Sequence, residues 1–255
     1  MIWLQITILV YRRPKGLERL LNSIVNSLGK ETQKVRIVFS LDNSFDTDNL
    51  VVIERYKPYF KDSVVRINDT KLGVDKHFVD CIEQNNSSSL NLYFEDDHLC
   101  LPGVLHYLQH YRKFSENMAA FSLYSYSLKP NTGLPFIPLK VKGDFYAYKR
   151  ITSRGLVLNN NQIKKFRSWL AKYNSSNYPF NVPEYLNRYT DKIWETLFTK
   201  YLIATDQYVL YPYCSTVTAF GDKGVHFKKS YDRFIPQVEL NLNQNEELKL
   251  PDSLI

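Results

Sequence analysis

Three consecutive acidic residues, Glu95, Asp96 and Asp97, follow the apolar run LNLYF. That run has the composition of a buried strand, and Pro102 opens the next helical pattern, so the acids lie at the carboxyl end of a predicted strand. Carboxylate oxygens are hard ligands that suit Mg²⁺ or Mn²⁺. A cation held there can bridge the two phosphates of a nucleoside diphosphate. Acidic residues also stabilise helix starts, and the motif alone leaves both interpretations open.

Other polar residues follow the other predicted strands. Tyr11, Arg12 and Arg13 come directly after the first strand, where a guanidinium can pair with phosphate or stack on a base. Asp42 follows the second strand and can accept hydrogen bonds from a base or a ribose, although aspartate is also a common turn residue. Gly73 follows the third strand and allows a ligand to approach the backbone. Ligands bind beyond the carboxyl ends of strands in open parallel sheets, so these residues form one candidate nucleotide site.

His226 lies in the segment FGDKGVHF, beside a glycine-containing turn. A neutral imidazole is a common metal ligand, and a protonated one pairs with a diphosphate. We therefore regard His226 as a candidate metal ligand, although a lone histidine is more often a surface or core residue.

The predicted elements alternate between strand and helix in the first half of the chain. Buried-strand runs and helical patterns follow one another at 5–10, 14–28, 34–41, 48–60, 63–67, 74–84, 90–94 and 102–114. This order predicts an α/β fold with a mostly parallel sheet flanked by helices. The second half mixes short strands with helices, including a long helical pattern at 184–202.

Composition restricts the class of protein. Hydrophobic residues make up 44% of the 255 residues, and 19 Tyr and 15 Phe contribute to a high aromatic content, which indicates a folded domain. The net charge of +7 favours anionic partners, but the Lys and Arg are dispersed, which argues against a basic arm for nucleic acid. Three separated cysteines predict a reducing compartment. We find no signal peptide and no membrane-spanning pattern, so we expect a cytoplasmic protein, with peripheral contact to an anionic membrane left open.

The chain resembles GT-A glycosyltransferases, and within them it is most similar to the N-acetylglucosaminyltransferase I family and its bacterial relatives. The resemblance covers most of residues 4–227. It rests on the strand-end residues described above and on the segment from Pro212 to His226, which keeps the family's proline, serine, Phe-Gly and Lys-Gly-Val run in register.

The resemblance implies an inverting glycosyltransferase that uses a Mn²⁺-bound nucleotide sugar, commonly a UDP-sugar. Asp97 would ligate the Mn²⁺ (or Mg²⁺), while Glu95 and Asp96 would support the ribose, the sugar or metal-bound water. We expect a Rossmann-like domain over residues 1–235, followed by a polar tail at 236–255. Its nucleotide-sugar-binding half would be 1–116 and its mixed acceptor-binding half 117–235.

The family also places an aspartate near a tryptophan as general base, and Asp191 in RYTDKIWETLF is the candidate here. The family segment is a tighter Trp-Asp-Asp-Trp pattern, so Glu195 and Asp144 are rivals. The family tends to carry an arginine at the position of Thr216, so any phosphate contact of that arginine must come from elsewhere or be absent.

We therefore expect transfer of a sugar to a glycan or lipid-linked saccharide, as in bacterial surface polysaccharide synthesis. A sugar-nucleotide nucleotidylyltransferase is one alternative, but the glycine-rich loop such enzymes carry after the first strand is missing here. A nucleic-acid-binding module is another alternative, supported only by charge and aromatic content and by no recognised motif.

Overall fold

The computed structural model describes residues 2–43, 47–84, 90–114, 118–129, 132, 134–138, 143–173, 186 and 193–220. The strands within these residues are β1 (Leu4–Val10), β2 (Val35–Leu41), β3 (Asp62–Ile67), β4 (Leu90–Glu95), β5 (His98–Cys100), β6 (Ala120–Ser122), β7 (Phe145–Tyr148), β8 (Leu156–Asn159), β9 (Val209–Pro212) and β10 (Val217–Ala219). The α-helices are α1 (Pro14–Leu28), α2 (Thr47–Tyr56), α3 (Val74–Glu83), α4 (Val104–Phe114), α5 (Asn160–Leu170) and α6 (Trp194–Ala204).

The first half of the chain forms the parallel part of an eight-stranded sheet, in the order β3-β2-β1-β4. Every residue of β1 is buried, as expected for a strand with helices over both faces of the sheet. The register pairs Leu9 with Glu95 and Val10 with Leu41. The carboxyl ends of β1, β2 and β4 therefore meet at one edge, as the order of elements predicts.

Helix α1 covers one face of this sheet. Pro14 occupies its start, where the fixed φ of proline suits a helix and the missing N–H costs no hydrogen bond. The apolar residues of α1 recur at helical spacing and are buried, namely Leu17, Leu20, Leu21, Ile24 and Leu28. They pack with Leu92 and Phe94 of β4, whereas Tyr93 points into a second core on the opposite face. The alternation along β4 thus separates two hydrophobic cores.

The sheet continues into the second half of the chain as β8-β6-β9-β7. The pairs β4–β8, β6–β8 and β7–β9 are antiparallel, and β6–β9 is parallel. The sheet is therefore parallel in its first half and mixed in its second, which confirms the predicted α/β class. The second core is rich in rings, contributed by Phe78, Tyr93, Tyr146, Phe166, Trp194, Phe198, Tyr201 and Tyr211.

Two features of the fold differ from the sequence prediction. Strands β5 and β10 form a separate antiparallel pair, with Ala219 opposite His98. The predicted helix at 184–202 does not run through Ile193, whose backbone is extended (φ −85°, ψ 114°). Helix α6 begins one residue later because the Asp75 carboxylate accepts the Trp194 N–H at 3.0 Å and so satisfies a free donor of its first turn.

None of the helices among the described residues is long and apolar enough to cross a membrane.

The turn before β8 supplies a test of the packing between the two sheets. Gly155 has φ +60°, and a Cβ placed on it would lie 2.9 Å from Leu123 Cβ and 3.0 Å from Val217 Cγ2. We expect Gly155→Ala to lower the free energy of unfolding by about 3 kcal/mol, since overpacking adds to the strain of a left-handed backbone. Gly29→Ala is the matched control, because Gly29 has φ +51° and no atom within 4 Å of the added Cβ. Because Gly29 combines φ +51° with ψ −127°, a conformation that side chains also disfavour, the control should lose about 2 kcal/mol in urea denaturation from backbone strain alone, and equal losses would contradict the packing argument.

Candidate active site

The predicted acidic residues and the residues after β1 come together because β1 and β4 are parallel neighbours. Leu9 pairs with Glu95, and the next backbone amide, that of Asp96, donates to the Leu9 carbonyl at 3.1 Å. The chain segments that leave the two strands are thus hydrogen bonded to each other at the edge of the sheet.

Asp96 is the buried centre of this group, with 2% of its surface exposed. Its Oδ2 accepts the Tyr11 backbone N–H at 2.6 Å, and its Oδ1 accepts Arg13 Nη1 at 2.8 Å. Burial raises the pKa of Asp96 to about 7, while Arg13 and the Tyr11 N–H oppose the rise. Both oxygens of Asp96 therefore bind the segment after β1, which gives Asp96 a positioning role.

Asp97 shares the same guanidinium and is more accessible. Its Oδ2 accepts Arg13 Nη1 at 2.9 Å, and its side chain is 17% exposed. Burial lowers the pKa of Arg13, but the charges of Asp96 and Asp97 outweigh that effect and raise it. The Asp97 carbonyl also accepts the Phe220 N–H at 2.8 Å, so the second, small sheet fixes the backbone of Asp97.

His98 is a member of this group that the sequence analysis missed. The ring is buried, and its Nδ1 accepts the Glu95 N–H at 3.1 Å. The proton of the neutral ring is therefore on Nε2, which lies 3.9 Å from Asp97 Oδ1. Burial lowers the pKa of His98 to about 4, so the ring is neutral at pH 7. The position of His98 directly after the acidic run is the signal in the sequence that could have identified it. Only the fold shows that its ring accepts a hydrogen bond from Glu95, at the end of β4.

Asp42 and Gly73 are also brought together, as the sequence predicts. Asp42 is buried, and its two oxygens accept the N–H groups of Leu72 and Gly73 at 2.6 and 2.8 Å. Gly73 has φ +79°, and no atom lies within 4 Å of the position of a Cβ. The carboxylate thus holds the loop after β3 against the end of β2, with Gly73 facing open space.

The surface beside this loop is cationic and aromatic. Lys71 Nζ lies 4.7 Å from the centre of the Tyr11 ring, and Arg12 Cζ lies 5.3 Å from it. Arg12 has φ 54°, an uncommon backbone conformation for a residue with a side chain. Two cations around one ring, next to Gly73 and Asp42, form a surface suited to a phosphorylated, planar ligand.

Glu195, one of the three candidate bases, is close enough to this site for the charge of Glu95 to act on it. It is half-buried in the first turn of α6, and its Oε1 accepts the Ser153 N–H at 3.0 Å. Burial raises the pKa of Glu195 to about 7; the Ser153 N–H opposes this, and the charge of Glu95 adds to it. The charge of Asp144, another candidate base, affects a different residue, Tyr107. Burial raises the pKa of the Tyr107 phenol, and the charge of Asp144 adds to that rise.

Asp191 and His226 lie outside the described residues. Thr216 is buried, and its hydroxyl donates to the Leu123 carbonyl at 3.3 Å. Thr216 therefore belongs to the core and cannot replace the arginine that the resembled family carries there.

The carboxylates of the acidic run offer hard oxygen atoms of the kind that divalent cations take as ligands. Among the described residues no group of three His, Cys, Asp or Glu side chains forms a complete metal cage. Mg²⁺ usually binds through one or two carboxylates and completes its shell with water and substrate phosphates. Asp97 and Glu95 are the carboxylates of the right chemistry, since Asp96 is committed to Tyr11 and Arg13.

Comparison with known proteins identifies the fold. No family model and no curated protein matches the sequence. Among solved structures, the chain is similar to S. aureus TarS 1-349 in complex with UDP-GlcNAc, with 14% identity, a TM-score of 0.58, and coverage of 90% of this chain and 61% of that one.

Two further solved structures show a similar architecture. One is GalNAc-T7 with UDP, GalNAc and Mn²⁺ (11% identity, TM-score 0.59, 85% of this chain and 43% of that one). The other is the mannosyltransferase PcManGT from Pyrobaculum calidifontis in complex with GDP-Man and Mn²⁺ (11% identity, TM-score 0.51, 83% of this chain and 56% of that one). The chain therefore has the fold of GT-A glycosyltransferases, and it spans about half the length of these proteins. The narrower resemblance to the N-acetylglucosaminyltransferase I family stays a prediction.

Replacement of Asp96 tests whether its carboxylate organises the site. Asp96→Ala leaves the Tyr11 N–H and the Arg13 guanidinium without their acceptor, so we expect the free energy of unfolding to fall by about 3 kcal/mol. Glu18→Ala is the control, because the Glu18 carboxylate pairs with Arg55 on the exposed surface, where such pairs contribute less than about 1 kcal/mol. Urea denaturation of both variants measures the difference, and equal losses would show that Asp96 has no structural role.

Proposed function

We propose that this protein is a glycosyltransferase that moves a sugar from a nucleotide-sugar donor to a hydroxyl group of a saccharide acceptor. The observation that carries the proposal is the junction of Tyr11 and Arg13 with Asp96 and Asp97 at the carboxyl edge of a GT-A sheet. That edge is where open α/β sheets bind their ligands.

The donor would bind over the ends of β1, β2 and β3. Tyr11, Arg12 and Lys71 supply an aromatic ring and two cations, which suit the base and the phosphates of a nucleotide. Asp42 holds the backbone of Gly73 in place, so that the donor can approach this loop without meeting a side chain. The similar structures contain UDP-GlcNAc, UDP or GDP-Man, and we propose UDP as the nucleotide.

Asp97 and Glu95 would hold a divalent cation, Mn²⁺ or Mg²⁺, with the donor diphosphate. When bound, the cation supplies positive charge that neutralises the departing nucleoside diphosphate. Arg13 would orient Asp97, because its guanidinium joins that carboxylate to the buried Asp96. His226 remains a proposed additional ligand.

Transfer requires a base for the acceptor hydroxyl. The acceptor oxygen would attack the anomeric carbon opposite the diphosphate, the bond to the diphosphate oxygen would break, and the hydroxyl proton would pass to a carboxylate. This displacement inverts the anomeric configuration. Glu195 is supported as the base by its raised pKa and by the influence of Glu95 on that pKa, while Asp191 remains the alternative from the family resemblance.

The acceptor would bind against the second half of the chain, at 117–235, while the first half, at 1–116, binds the donor. The charge of Glu195 acts on the half-buried Tyr126, whose ring contacts the buried Tyr124 at 5.4 Å. The Arg154 guanidinium lies 4.8 Å from the centre of the Tyr124 ring. A partly exposed aromatic side chain beside the candidate base suits the apolar face of a sugar ring, which supports a saccharide acceptor.

Metal-dependent donor binding tests the first part of the proposal. We expect UDP to raise the thermal unfolding temperature of the protein more in the presence of Mn²⁺ than in EDTA. Asp97→Asn should abolish this difference and lower kcat/KM for UDP-sugar turnover on the order of a hundredfold or more. The unfolding temperature without ligand should stay near that of the unmodified protein.

Asp62→Asn is the matched control, because Asp62 pairs with Arg36 on the surface. It should keep both the Mn²⁺ effect and the turnover. A screen of UDP-, GDP- and dTDP-sugars identifies the donor, and turnover of none of them would count against a glycosyltransferase. Turnover by Asp97→Asn at the normal rate would remove Asp97 from the metal site.

The pH dependence of transfer tests Glu195 as the base. The base must be deprotonated, and burial raises the pKa of Glu195 to about 7, so kcat/KM should rise with pH up to about 7 and then level off. Glu195→Gln keeps an acceptor for the Ser153 N–H but cannot take a proton. It should lower kcat on the order of a hundredfold or more with little change in KM for the donor.

Asp191→Asn and Asp144→Asn are the parallel variants. If Glu195 is the base, both keep the rise of kcat/KM towards pH 7. If Asp191→Asn stops transfer while Glu195→Gln retains it, Asp191 is the base and Glu195 is a structural residue.

A further inference from the structure

Half of the large aliphatic side chains that are exposed among the described residues lie in one short segment. Among the described residues, seven large hydrophobic side chains are exposed, and three of them are Leu128 (48%), Leu134 (58%) and Ile137 (84%). The other four are dispersed over α2, β3, α3 and the turn before β3. Single exposed apolar residues are ordinary, whereas a cluster of them indicates a binding surface.

Backbone hydrogen bonds fix the shape of this segment. The Lys129 N–H donates to the Leu134 carbonyl at 2.7 Å, and the Phe136 N–H donates to the Ser127 carbonyl at 2.9 Å. Leu128 and Pro135 form the bridge between these two bonds. We refer to the described residues 127–129 and 134–137 as the aliphatic hairpin. The exposure of its leucines is thus a property of a paired structure.

The base of the aliphatic hairpin is anchored in the body of the protein. The Phe136 ring stacks on Tyr148 at 5.4 Å and contacts Tyr146 at 5.8 Å. These tyrosines pack on Tyr211, which is fully buried. The anchored ring and the exposed aliphatic side chains lie in the same short segment, so the hairpin presents its apolar side chains from a fixed support.

The aliphatic hairpin itself carries positive charge only. Lys129 is exposed at its tip, and the sequence from Asn117 to Gly143 contains no Asp or Glu. The whole chain carries a net charge of +7. Aliphatic side chains beside lysine are typical of surfaces that enter the headgroup region of anionic membranes.

We propose that the aliphatic hairpin is a membrane-docking element that inserts Leu128, Leu134 and Ile137 into the surface of an anionic lipid bilayer. A protein partner fits less well, because the centres of protein interfaces favour aromatic residues and arginine and are depleted of lysine. A second copy of this chain also fits less well, because hairpin-to-hairpin contact would bring two Lys129 side chains together without an acidic partner.

Membrane docking at this place has a consequence that rests on the proposed function. Tyr126 contacts Tyr148 at 5.7 Å, and the charge of Glu195 acts on the Tyr126 phenol. The hairpin, the tyrosines and the candidate base are therefore contiguous. A saccharide carried on a lipid in that bilayer would approach the site from the side of Glu195.

Vesicle co-sedimentation of the full chain tests the docking surface without any substrate. The probes are phosphatidylcholine vesicles with and without phosphatidylglycerol. We expect the protein to bind the anionic vesicles, and the double variant Leu134→Ser, Ile137→Ser to bind them on the order of tenfold more weakly. The double variant Val51→Ser, Tyr59→Ser is the matched control, because both residues are exposed (59% and 48%) and remote from the hairpin in sequence; it should bind as the unmodified protein does.

Three results would overturn the proposal. The first is no binding of the protein to anionic vesicles, and the second is equal binding by the hairpin variant and the control variant. The third is a dimer in light scattering that only the hairpin variant fails to form, a result that would identify a second copy of the chain as the occupant. Thermal unfolding of each variant shows whether it is folded. Donor turnover in detergent-free buffer should be the same for all three proteins, and its absence from all of them would count against the proposed function while leaving the vesicle result intact.

Discussion

The hydrogen bonds of the Asp96 carboxylate are the interaction on which the rest of the candidate site depends. A buried carboxylate is costly unless its charge and its hydrogen bonds are compensated, and here one oxygen meets Arg13 and the other meets the Tyr11 backbone. A buried ion pair of this kind contributes little net stability, since desolvation offsets the attraction. What the pair supplies is position, because the two oxygens of Asp96 bind two different residues of the segment after β1 and so hold that segment beside the end of β4. The left-handed backbone of Arg12 (φ 54°) is an unfavourable conformation that such an arrangement can hold.

The first half of the fold could be predicted from the sequence because its signals are local. The buried run of β1, the helical spacing of α1 and the alternation of strands and helices each lie within a short window. The same logic placed the acidic residues at the carboxyl edge, since parallel strands align their ends. The clustering of Tyr11, Arg13, Asp96 and Asp97 therefore follows from topology and the order of elements.

The features that were missed depend on contacts between distant parts of the chain. Strands β5 and β10 have three residues each, which is too few for a periodic pattern. Each of them forms by pairing with the other, which lies more than a hundred residues away along the chain. The orientation of His98 follows from that pairing. The start of α6 at Trp194 is set by Asp75, a contact that no helical pattern contains. The raised pKa of Glu195 likewise comes from burial in the folded chain, which the Ser153 N–H only partly offsets, so the sequence names this candidate base but does not show its environment.

The electrostatics of the acidic group support the proposed binding of a divalent cation beside the Arg13 guanidinium. Arg13 contacts both aspartates through the same nitrogen, so one guanidinium is shared by two carboxyl groups, of which Asp96 carries only part of a negative charge at pH 7 because burial raises its pKa to about 7. His98 adds no charge, because burial lowers its pKa to about 4, and Glu95 adds a third carboxylate whose charge acts on both Arg13 and Glu195. The group therefore keeps an excess of negative charge around Asp97, the more accessible aspartate. A cation that neutralised this excess would also weaken the repulsion between Glu95 and Glu195 and so lower the pKa of Glu195. In the proposed function, binding of a donor with a metal would then favour the deprotonated form of Glu195, the form that the proposed base needs to accept the proton of the acceptor hydroxyl.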